Sequence, residues 1–435
     1  MKKLLNFSLA IIAVAFVACS YEDVALSTNE SPSNPYEVTP DEAVQLLQTV
    51  MGGESTRAIS VGSIQTLRKS DFVPTTRGAE DGDVVYIVDL EDGGSAIMGA
   101  DKRMEPIYAI LDETKISPEQ LTLSATRSDD GEQDIEEYVM GLVNNKIQVD
   151  VMGFEHTLPE MPMIPRDQTW TETTVIGRQS PLLRTKWGQD HPFNLRFPLI
   201  DNCVFNREFA GCVTVAVAQI MCYNRFPNLV GNRAISWNLA SQYDFENTSP
   251  SDDVINAVAW LMWAVALELP ADWGGTDTRD DGTASSIEDA AALMTRHGYY
   301  SVQIINELNT TVVIDMLCDR EQPVYIRGRS EVDGESAYHA WLIDGCNVYK
   351  EDFWVRHYID SFRFNEYIEN TKEYNLLHCN FGYEGRCDGY YSSGLFKLYP
   401  APSLDDEYID SSVGDLPGSK YENYASDFKI MVYDL

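Results

Sequence analysis

The stretch 211–223 constrains the fold of this chain more than any other. Apart from Thr214, it has no polar side chain before Gln219, so it offers no face suited to solvent. A helix that is apolar all round is buried, and a dozen residues are too few to cross a bilayer. The β-branched residues equally suit a buried strand. Gly211 before the run and Pro227 after it favour the helix.

On the helical interpretation, Cys212 lies in the first turn of a buried helix. Unpaired N–H groups and the positive end of the helix dipole stabilise a thiolate there, and the thiolate is the nucleophile of cysteine chemistry. The alternative is that Cys212 fills a core as a small apolar residue, or forms half of a disulfide. Residues elsewhere in the chain must decide between these two interpretations.

Size and charge exclude several classes of protein. The chain has 435 residues, enough for two domains. It carries 32 Lys and Arg against 68 Asp and Glu, a net charge of −36, which repels nucleic acid and anionic lipid. A hydrophobic content of 44% argues against disorder. We expect a folded, acidic protein with no nucleic-acid partner.

The N-terminus has the pattern of an export signal. Lys2 and Lys3 precede an apolar segment over 4–17. The sequence Phe-Val-Ala-Cys at 16–19 resembles a bacterial lipobox, whose cysteine is lipidated after cleavage. The alternative is an ordinary signal peptide that ends near a cysteine. We expect an exported lipoprotein of the outer membrane or cell surface, attached to the membrane only through a lipid on Cys19.

The chain then divides at its composition changes. A signal peptide (1–19) and a flexible tether (20–35) precede an α+β domain over 36–165 and a larger domain over 166–435. The smaller domain is predicted to contain a helix begun by Thr39, Pro40 and Glu42, strands over 84–88 and 96–98 around a turn at 92–94, and a helix over 134–143. Prolines indicate a boundary between about residues 159 and 180.

The larger domain has helices first and strands later. Predicted helices cover 254–269 and a segment capped by Ser285 or Ser286 that ends at Gly298, and predicted strands cover 324–326, 340–343, 376–379 and 389–391. This order indicates an α+β domain with two segregated halves.

Hydrolysis by a cysteine needs a base and donors for the oxyanion. His339 opens a predicted strand, which could hold its imidazole toward Cys212 as an ion pair across a cleft. The alternative is a structural histidine. Seven cysteines follow Cys19, so at least one thiol stays unpaired if the rest form bridges, and none shows the CxxC spacing of a metal site.

Four motifs in order resemble the streptopain-like family of papain-fold cysteine peptidases. They are Lys186-Trp187-Gly188-Gln189, Gly211-Cys212-Val213 running on to Ala218-Gln219-Ile220-Met221, Tyr338-His339-Ala340-Trp341 with Ile343-Asp344-Gly345, and Asn380-Phe381-Gly382-Tyr383 ahead of Gly389-Tyr390-Tyr391. The front half resembles the inhibitory propeptide of that family, notably over 96–101 and 106–109.

The resemblance implies a papain-like fold, with a helical lobe, a lobe of twisted antiparallel sheet and a cleft between them. It implies that Cys212 is the nucleophile and that His339 is first base and then acid. Gln189 would donate its side-chain amide to the oxyanion beside the backbone N–H of Cys212; without the resemblance, Gln189 could be a solvated loop residue. No metal or organic cofactor is implied.

The segment after the histidine departs from the family, which reads Asn-Trp-Gly-Trp-Gly. Phe381, Tyr383 and Glu384 replace Trp, Trp and Gly. Phe381 can pack against His339 but cannot donate a hydrogen bond, so Asn380 is a candidate helper that orients the histidine. The residues expected to line the substrate cleft or pack by the histidine are Trp187, Gly211, Phe381 and Gly382.

Two further departures concern spacing and cysteines. About 40 residues separate His339 from Asn380, so we expect an inserted loop over 349–374. The cysteines exceed the usual count of the family, and a bridge between Cys379 and Cys387 would brace the aromatic loop, although spacing does not determine connectivity.

These observations predict a secreted, lipid-anchored cysteine endopeptidase zymogen that hydrolyses polypeptides. Residues 36–165 would block the cleft until a cut near the boundary, where Arg166 and Arg178 are candidate sites. Its partners would be polypeptide substrates and its own propeptide. Two alternatives remain open: a catalytically degenerate homologue that only binds peptides, and a thiol amidase or acyl transferase that uses the same dyad.

Overall fold

Strands from both halves of the chain form one eleven-stranded antiparallel sheet. This computed structural model describes residues 36–52, 59–73, 81–91, 93–122, 135–153, 167–199, 207–244, 249–270, 285–332, 335–359, 363–396 and 426–435. The predicted signal peptide and tether, together with Cys19, Arg166 and Cys203, lie outside these ranges.

The front half contributes a small sheet and its helices. In chain order its elements are α1 (Pro40–Met51), β1 (Val61–Arg68), β2 (Asp83–Leu90), β3 (Ser95–Gly99), β4 (Ile107–Leu111), α2 (Pro118–Leu121) and α3 (Ile135–Gly153). The predicted capping box at Thr39 and Glu42 is present, as is the predicted strand pair. Helix α3 runs ten residues beyond its predicted end because its apolar side chains continue into a buried core.

The second half begins with a strand and continues through helices into the rest of the sheet. Its elements are β5 (Asp167–Gln179), α4 (Cys212–Asn224), β6 (Leu229–Val230), β7 (Arg233–Ala234), α5 (Trp237–Ala240), α6 (Asp252–Glu268), α7 (Ile287–Arg296), β8 (Tyr300–Ile305), α8 (Thr310–Cys318), β9 (Val324–Val332), β10 (Glu335–Tyr358), β11 (Phe364–Asn380), β12 (Gly389–Ser392) and β13 (Ser426–Asp434).

The strand order is β1-β2-β3-β4-β12-β11-β10-β9-β13-β8, with β5 beside β10. The two halves join where β4 pairs with β12, in register from Ala109 opposite Tyr391 to Leu111 opposite Gly389. Beneath this joint, one core holds residues of both halves, including Tyr138 of α3 and Trp341 of β10. The front half is therefore an integral layer of the folded chain.

The predicted buried helix is α4. Its residues 213–222 are all buried, and it packs with α6 and α7 in a second core. Burial outweighs the weak helix propensity of its β-branched residues, since propensity is a small term beside apolar packing. Ser286, one of the two predicted caps, accepts a hydrogen bond from Asp289 N and begins α7. The α+β architecture with a helical lobe and a sheet lobe is confirmed.

The predicted loop over 349–374 is wrong. Strands β10 and β11 stay paired as far as Tyr358 opposite Phe364, so most of this insertion is a long hairpin arm. Cross-strand contacts such as the ion pair between Arg356 and Glu366, and the stacked rings of Trp170 and Trp354, support it. The β11 side of the arm is exposed over 364–373, which suits the many polar and charged residues there.

The boundary region also contains unexpected structure. Strand β5 pairs with β10 from Gln179 opposite Cys346 to Asp167 opposite His357. The segment that links the two halves is therefore the third strand of the arm. In the part of the chain that the structure describes, no helix is long and apolar enough to span a membrane.

Candidate active site

Cys212 is the first residue of α4 and its side chain is half-buried. Gly211 before it has φ of 84°, a conformation that favours glycine and turns the chain sharply into the helix. The carbonyl of Gln189 accepts a hydrogen bond of 2.8 Å from the backbone N–H of Ala210. This bond holds the Gln189 segment two residues from the nucleophile, where the predicted oxyanion donor is needed.

In this form the pKa of the Cys212 thiol lies above its ordinary value. Burial raises its pKa, and the backbone amides of Ala340, Val213 and Cys212 together with the charge of Arg327 only partly offset that effect. The sequence predicts a thiolate stabilised by the helix start, but the apolar surroundings dominate because they disfavour any charge. Ala340 directly follows His339, so the sulfur faces the strand that carries the predicted base.

His339 is buried on β10, and its Nε2 donates a hydrogen bond of 3.0 Å to the carbonyl of Phe381. Burial lowers the pKa of His339 to about 4, so the ring is neutral at physiological pH. A neutral imidazole that donates from Nε2 keeps its basic lone pair on Nδ1. Within the described residues, no hydrogen bond joins His339 to Cys212.

Aromatic rings enclose the imidazole. Trp341 and Phe381 stack on it with centroid distances of 5.8 and 6.3 Å, and Tyr383 lies at 5.3 Å. The fourth ring belongs to Tyr138 of α3, which meets His339 edge-on at 6.0 Å. A helix of the front half therefore contacts the predicted catalytic histidine directly.

Asn380 makes a different set of hydrogen bonds from those expected of a helper. Its Oδ1 accepts from Gln219 Nε2 at 3.0 Å, and its Nδ2 donates to the carbonyl of Thr185 at 2.8 Å. These bonds tie the end of β11 to α4 and to the segment that contains Thr185. In this form the acceptor that orients His339 is instead the backbone carbonyl of Phe381.

The loop after Asn380 depends on backbone conformations that favour glycine. Gly382 has φ of 73°, and a Cβ there would come within 3.1 Å of Val215 Cγ1. Glu384 replaces a family glycine and nevertheless has φ of 56°, in the left-handed region. Its amide donates to the carbonyl of Trp187, whose buried indole donates to Tyr243 O at 2.8 Å.

Sequence analysis missed a buried charge cluster behind this loop. His378 Nδ1 lies 2.6 Å from Asp344 Oδ1, and its Nε2 lies 3.1 Å from Asp112 Oδ2 of the front half. Burial opposes a charge on His378, but these two carboxylates outweigh it and raise its pKa to about 10. The sequence did contain a signal for this cluster: His378 and Asp344 lie in two predicted strands that flank the site, and neither had been assigned another role.

Asp388 completes this cluster. Its Oδ1 accepts a hydrogen bond of 2.8 Å from the backbone N–H of Phe381, whose carbonyl holds His339. Burial raises the pKa of Asp388 to about 7, and the nearby Asp344 and Asp112 add to that rise.

Six cysteines lie within the residues that the structure describes. No disulfide is formed by Cys212, Cys222, Cys318, Cys346, Cys379 or Cys387. The bridge considered between Cys379 and Cys387 is therefore absent from this form. Within the described ranges, no group of three or more His, Cys, Asp or Glu residues is arranged to hold a metal ion.

Comparisons with known proteins identify a similar fold and similar sequences. A solved structure of a Prevotella intermedia prointerpain A fragment with a Cys-to-Ala substitution matches with a TM-score of 0.51 at 18% identity, over 85% of this chain and 98% of that one. This likeness shows the fold. Streptopain of Streptococcus pyogenes is 26% identical over 362 residues, which span 72% of this chain and 75% of streptopain.

Residues 187–391 match the Peptidase C10 family. That segment contains Gln189, Cys212 and His339. Cys212 lies at the start of a helix, and its sulfur approaches the strand that carries His339. Such an arrangement suits acyl transfer through a thioester. The segment that carries these residues therefore matches the streptopain-like peptidases, and the comparisons indicate a cysteine-type endopeptidase.

Proposed function

We propose that this chain is the exported, lipid-anchored zymogen of a cysteine endopeptidase, with Cys212 and His339 as its dyad and residues 36–165 as its inhibitory propeptide. One observation carries the proposal: Tyr138 of α3 packs on His339 while the helix that begins at Cys212 faces the same strand. A front half with a purely structural role has no need to contact that ring.

In the mature enzyme, His339 Nδ1 takes the proton from the Cys212 thiol. The thiolate attacks the carbonyl carbon of a peptide bond, and the oxyanion is stabilised by the Cys212 backbone N–H and the Gln189 amide. His339 then gives its proton to the leaving amine, and water hydrolyses the thioester. The Phe381 carbonyl keeps Nε2 protonated, so Nδ1 remains the basic nitrogen throughout.

Latency follows from burial of the dyad. With α3 in place, the pKa of Cys212 is raised and that of His339 is lowered to about 4, so the ion pair is disfavoured from both sides. Removal of Tyr138 would admit water to the imidazole and relieve its desolvation. Activation therefore requires the loss of this cover and the approach of the two side chains, which share no hydrogen bond in this form.

Release of the propeptide requires a cut in the linker. Arg178 lies near the end of β5, where its Nη2 donates to the carbonyl of Val50 in α1 at 2.6 Å. A protease binds an extended chain, so this end of β5 must first leave β10. We propose a cut at Arg178, with Arg166 as the other candidate.

Export and lipidation are proposed from the sequence alone. The basic start, the apolar segment and the cysteine at position 19 support a lipidated protein outside the cytoplasm. Labelling expressing bacteria with a palmitate analogue tests this: Cys19→Ser should lose the label and the wild type should carry it. An unlabelled wild type would reduce the proposal to an ordinary secreted enzyme.

The activity test uses purified residues 20–435. Wild type should lose an N-terminal fragment and then clear casein, whereas Cys212→Ala should remain full length and inactive. Casein hydrolysis by Cys212→Ala would disprove the dyad. If both proteins mature, another protease makes the cut.

Iodoacetamide labelling supplies an internal control. Of the six described cysteines, Cys212 and Cys318 are the two that are not buried. After maturation and prior reduction, Cys212 should be labelled far faster than Cys318, since only Cys212 has a neighbouring base. Equal rates would favour a degenerate homologue, and preferential hydrolysis of small primary amides would favour an amidase.

A further inference from the structure

Two cysteines outside the active site lie close together. Sγ of Cys318 is 3.6 Å from Sγ of Cys346. Cys318 is the last residue of α8, and Cys346 is on β10, so 28 residues of sequence separate them. A disulfide has an S–S length of about 2.05 Å, so a movement of roughly 1.6 Å would join the two sulfurs.

Their exposures differ in a way that suits stepwise oxidation. Cys318 is half-buried, whereas Cys346 is completely buried. Burial raises the pKa of Cys346 to about 12, and the adjacent Cys318 adds to that rise. An oxidant in solution therefore meets Cys318 first, and Cys346 reacts only from within. Cys379, another buried thiol, instead donates from its Sγ to the carbonyl of Leu377.

We propose that Cys318 and Cys346 are a redox site that forms a disulfide by exchange with an external low-molecular-weight or protein disulfide. The Cys318 thiolate attacks one sulfur of that disulfide and releases the other as a thiol. The Cys346 sulfur, on losing its proton, then attacks the sulfur of Cys318 and releases the second thiol. Two protein thiols are oxidised by two electrons, and the external disulfide takes those electrons and two protons.

The bond would fasten α8 to the strand that carries His339. Cys346 is also the residue opposite Gln179, at the end of β5 where the linker is proposed to be cut. Maturation by a cut at Arg178 would remove the β5 hydrogen bonds from β10 next to this position, beginning at Asn347 opposite Arg178. A disulfide to α8 holds β10 in place after that loss, so it serves the mature enzyme more than the zymogen.

The test uses the purified chain from residue 20 with Cys212→Ala, which prevents self-processing. One sample is treated with oxidised glutathione and a second with dithiothreitol; both are unfolded, alkylated and mapped by mass spectrometry. Oxidation should remove Cys318 and Cys346 from the alkylated set and yield a peptide that links them. It should also raise the midpoint of thermal unfolding by roughly 3–5 °C.

Three variants complete the test, each compared with itself in the two redox states. Cys318→Ser and Cys346→Ser should abolish the oxidation-dependent shift, and Cys379→Ser should retain it. If Cys346→Ser does not fold, Cys318→Ser still tests the proposal, because Cys318 is only half-buried. Alkylation of both residues after oxidation, or glutathione retained on Cys318, would overturn the proposal.

Discussion

His378 Nε2 lies 3.1 Å from Asp112 Oδ2, and this pair joins the peptidase half to the front half of the chain. On its other side the same imidazole meets Asp344, which also accepts a hydrogen bond from the backbone N–H of Leu183. One buried ring therefore connects the propeptide, the active-site strand and the start of the mature segment.

Replacing Asp112 should loosen the propeptide. Asp112→Asn keeps the shape of the side chain but removes the charge that raises the pKa of His378. Because the Asp112 side chain is 37% exposed, water screens the pair, and we expect a loss of about 1 kcal/mol in the free energy of unfolding. Self-processing should accelerate accordingly. The control is Asp41→Asn in the exposed first turn of α1; equal effects from both variants would contradict the assignment.

The zymogen should lose stability as the pH rises. His378 has a pKa of about 10 in the folded chain against 6.5 as the ordinary value, so its contribution is complete below pH 6.5 and is lost toward pH 10. Asp388, raised from 3.8 to about 7, acts in the same direction between those two values. In a Cys212→Ala background, the midpoint temperature of unfolding should fall as the pH is raised from about 5 to 9. It should fall more steeply than in the double variant that also carries Asp112→Asn. Identical slopes would exclude the cluster as the source.

Tyr138 should hold the zymogen latent. Tyr138→Ala removes the ring that covers His339 and leaves a cavity in the shared core, at a cost of about 3 kcal/mol. Iodoacetamide should then label Cys212 faster in the uncut chain. Tyr138→Phe keeps the ring and should label at the wild-type rate; fast labelling in that variant would assign latency to the hydroxyl instead.

Gln189→Ala should lower kcat of the mature enzyme by roughly 100-fold to 1000-fold, with KM nearly unchanged, because an oxyanion donor acts mainly in the transition state. Steady-state hydrolysis of a fluorogenic peptide measures both constants. Gln303→Ala, at an exposed position on β8, is the matched control. A change confined to KM would make Gln189 a binding residue.

Gly382→Ala should destabilise the folded protein. The substitution places a Cβ 3.1 Å from Val215 Cγ1 at a φ of 73°, and we expect about 1–2 kcal/mol of destabilisation together with reduced activity. Gly177→Ala, whose Cβ would make ordinary contacts with Val348, should be close to neutral. Thermal unfolding of the two variants compares them directly, and equal losses would contradict the strain argument.

The sequence was informative where a local pattern had one physical solution. The apolar run over 213–218 has no polar face for solvent, which indicated a buried element. The pair Thr39 and Glu42 indicated the cap of a helix. It was less informative where tertiary contacts decide. The thiol pKa depends on how deeply Cys212 is enclosed, and helical phasing does not report that depth.

The arm and the charge cluster escaped prediction for related reasons. An insertion that is inferred from family spacing carries no indication of its own structure. His378 and Asp112 are separated by 266 residues, and only the pairing of β4 with β12 brings them together. Long-range register of this kind has no local sequence signal.

Because β5 pairs with β10, a cut in the linker does not by itself release the front half of the chain. After a cut at Arg178, the strand on the N-terminal side of the break still has its ladder of hydrogen bonds to the arm, and α3 still lies over the imidazole. The nicked protein is thus a two-chain complex that stays silent until the fragments separate. The fraction of nicked protein that has lost its cover therefore rises on dilution, as for any dissociating pair.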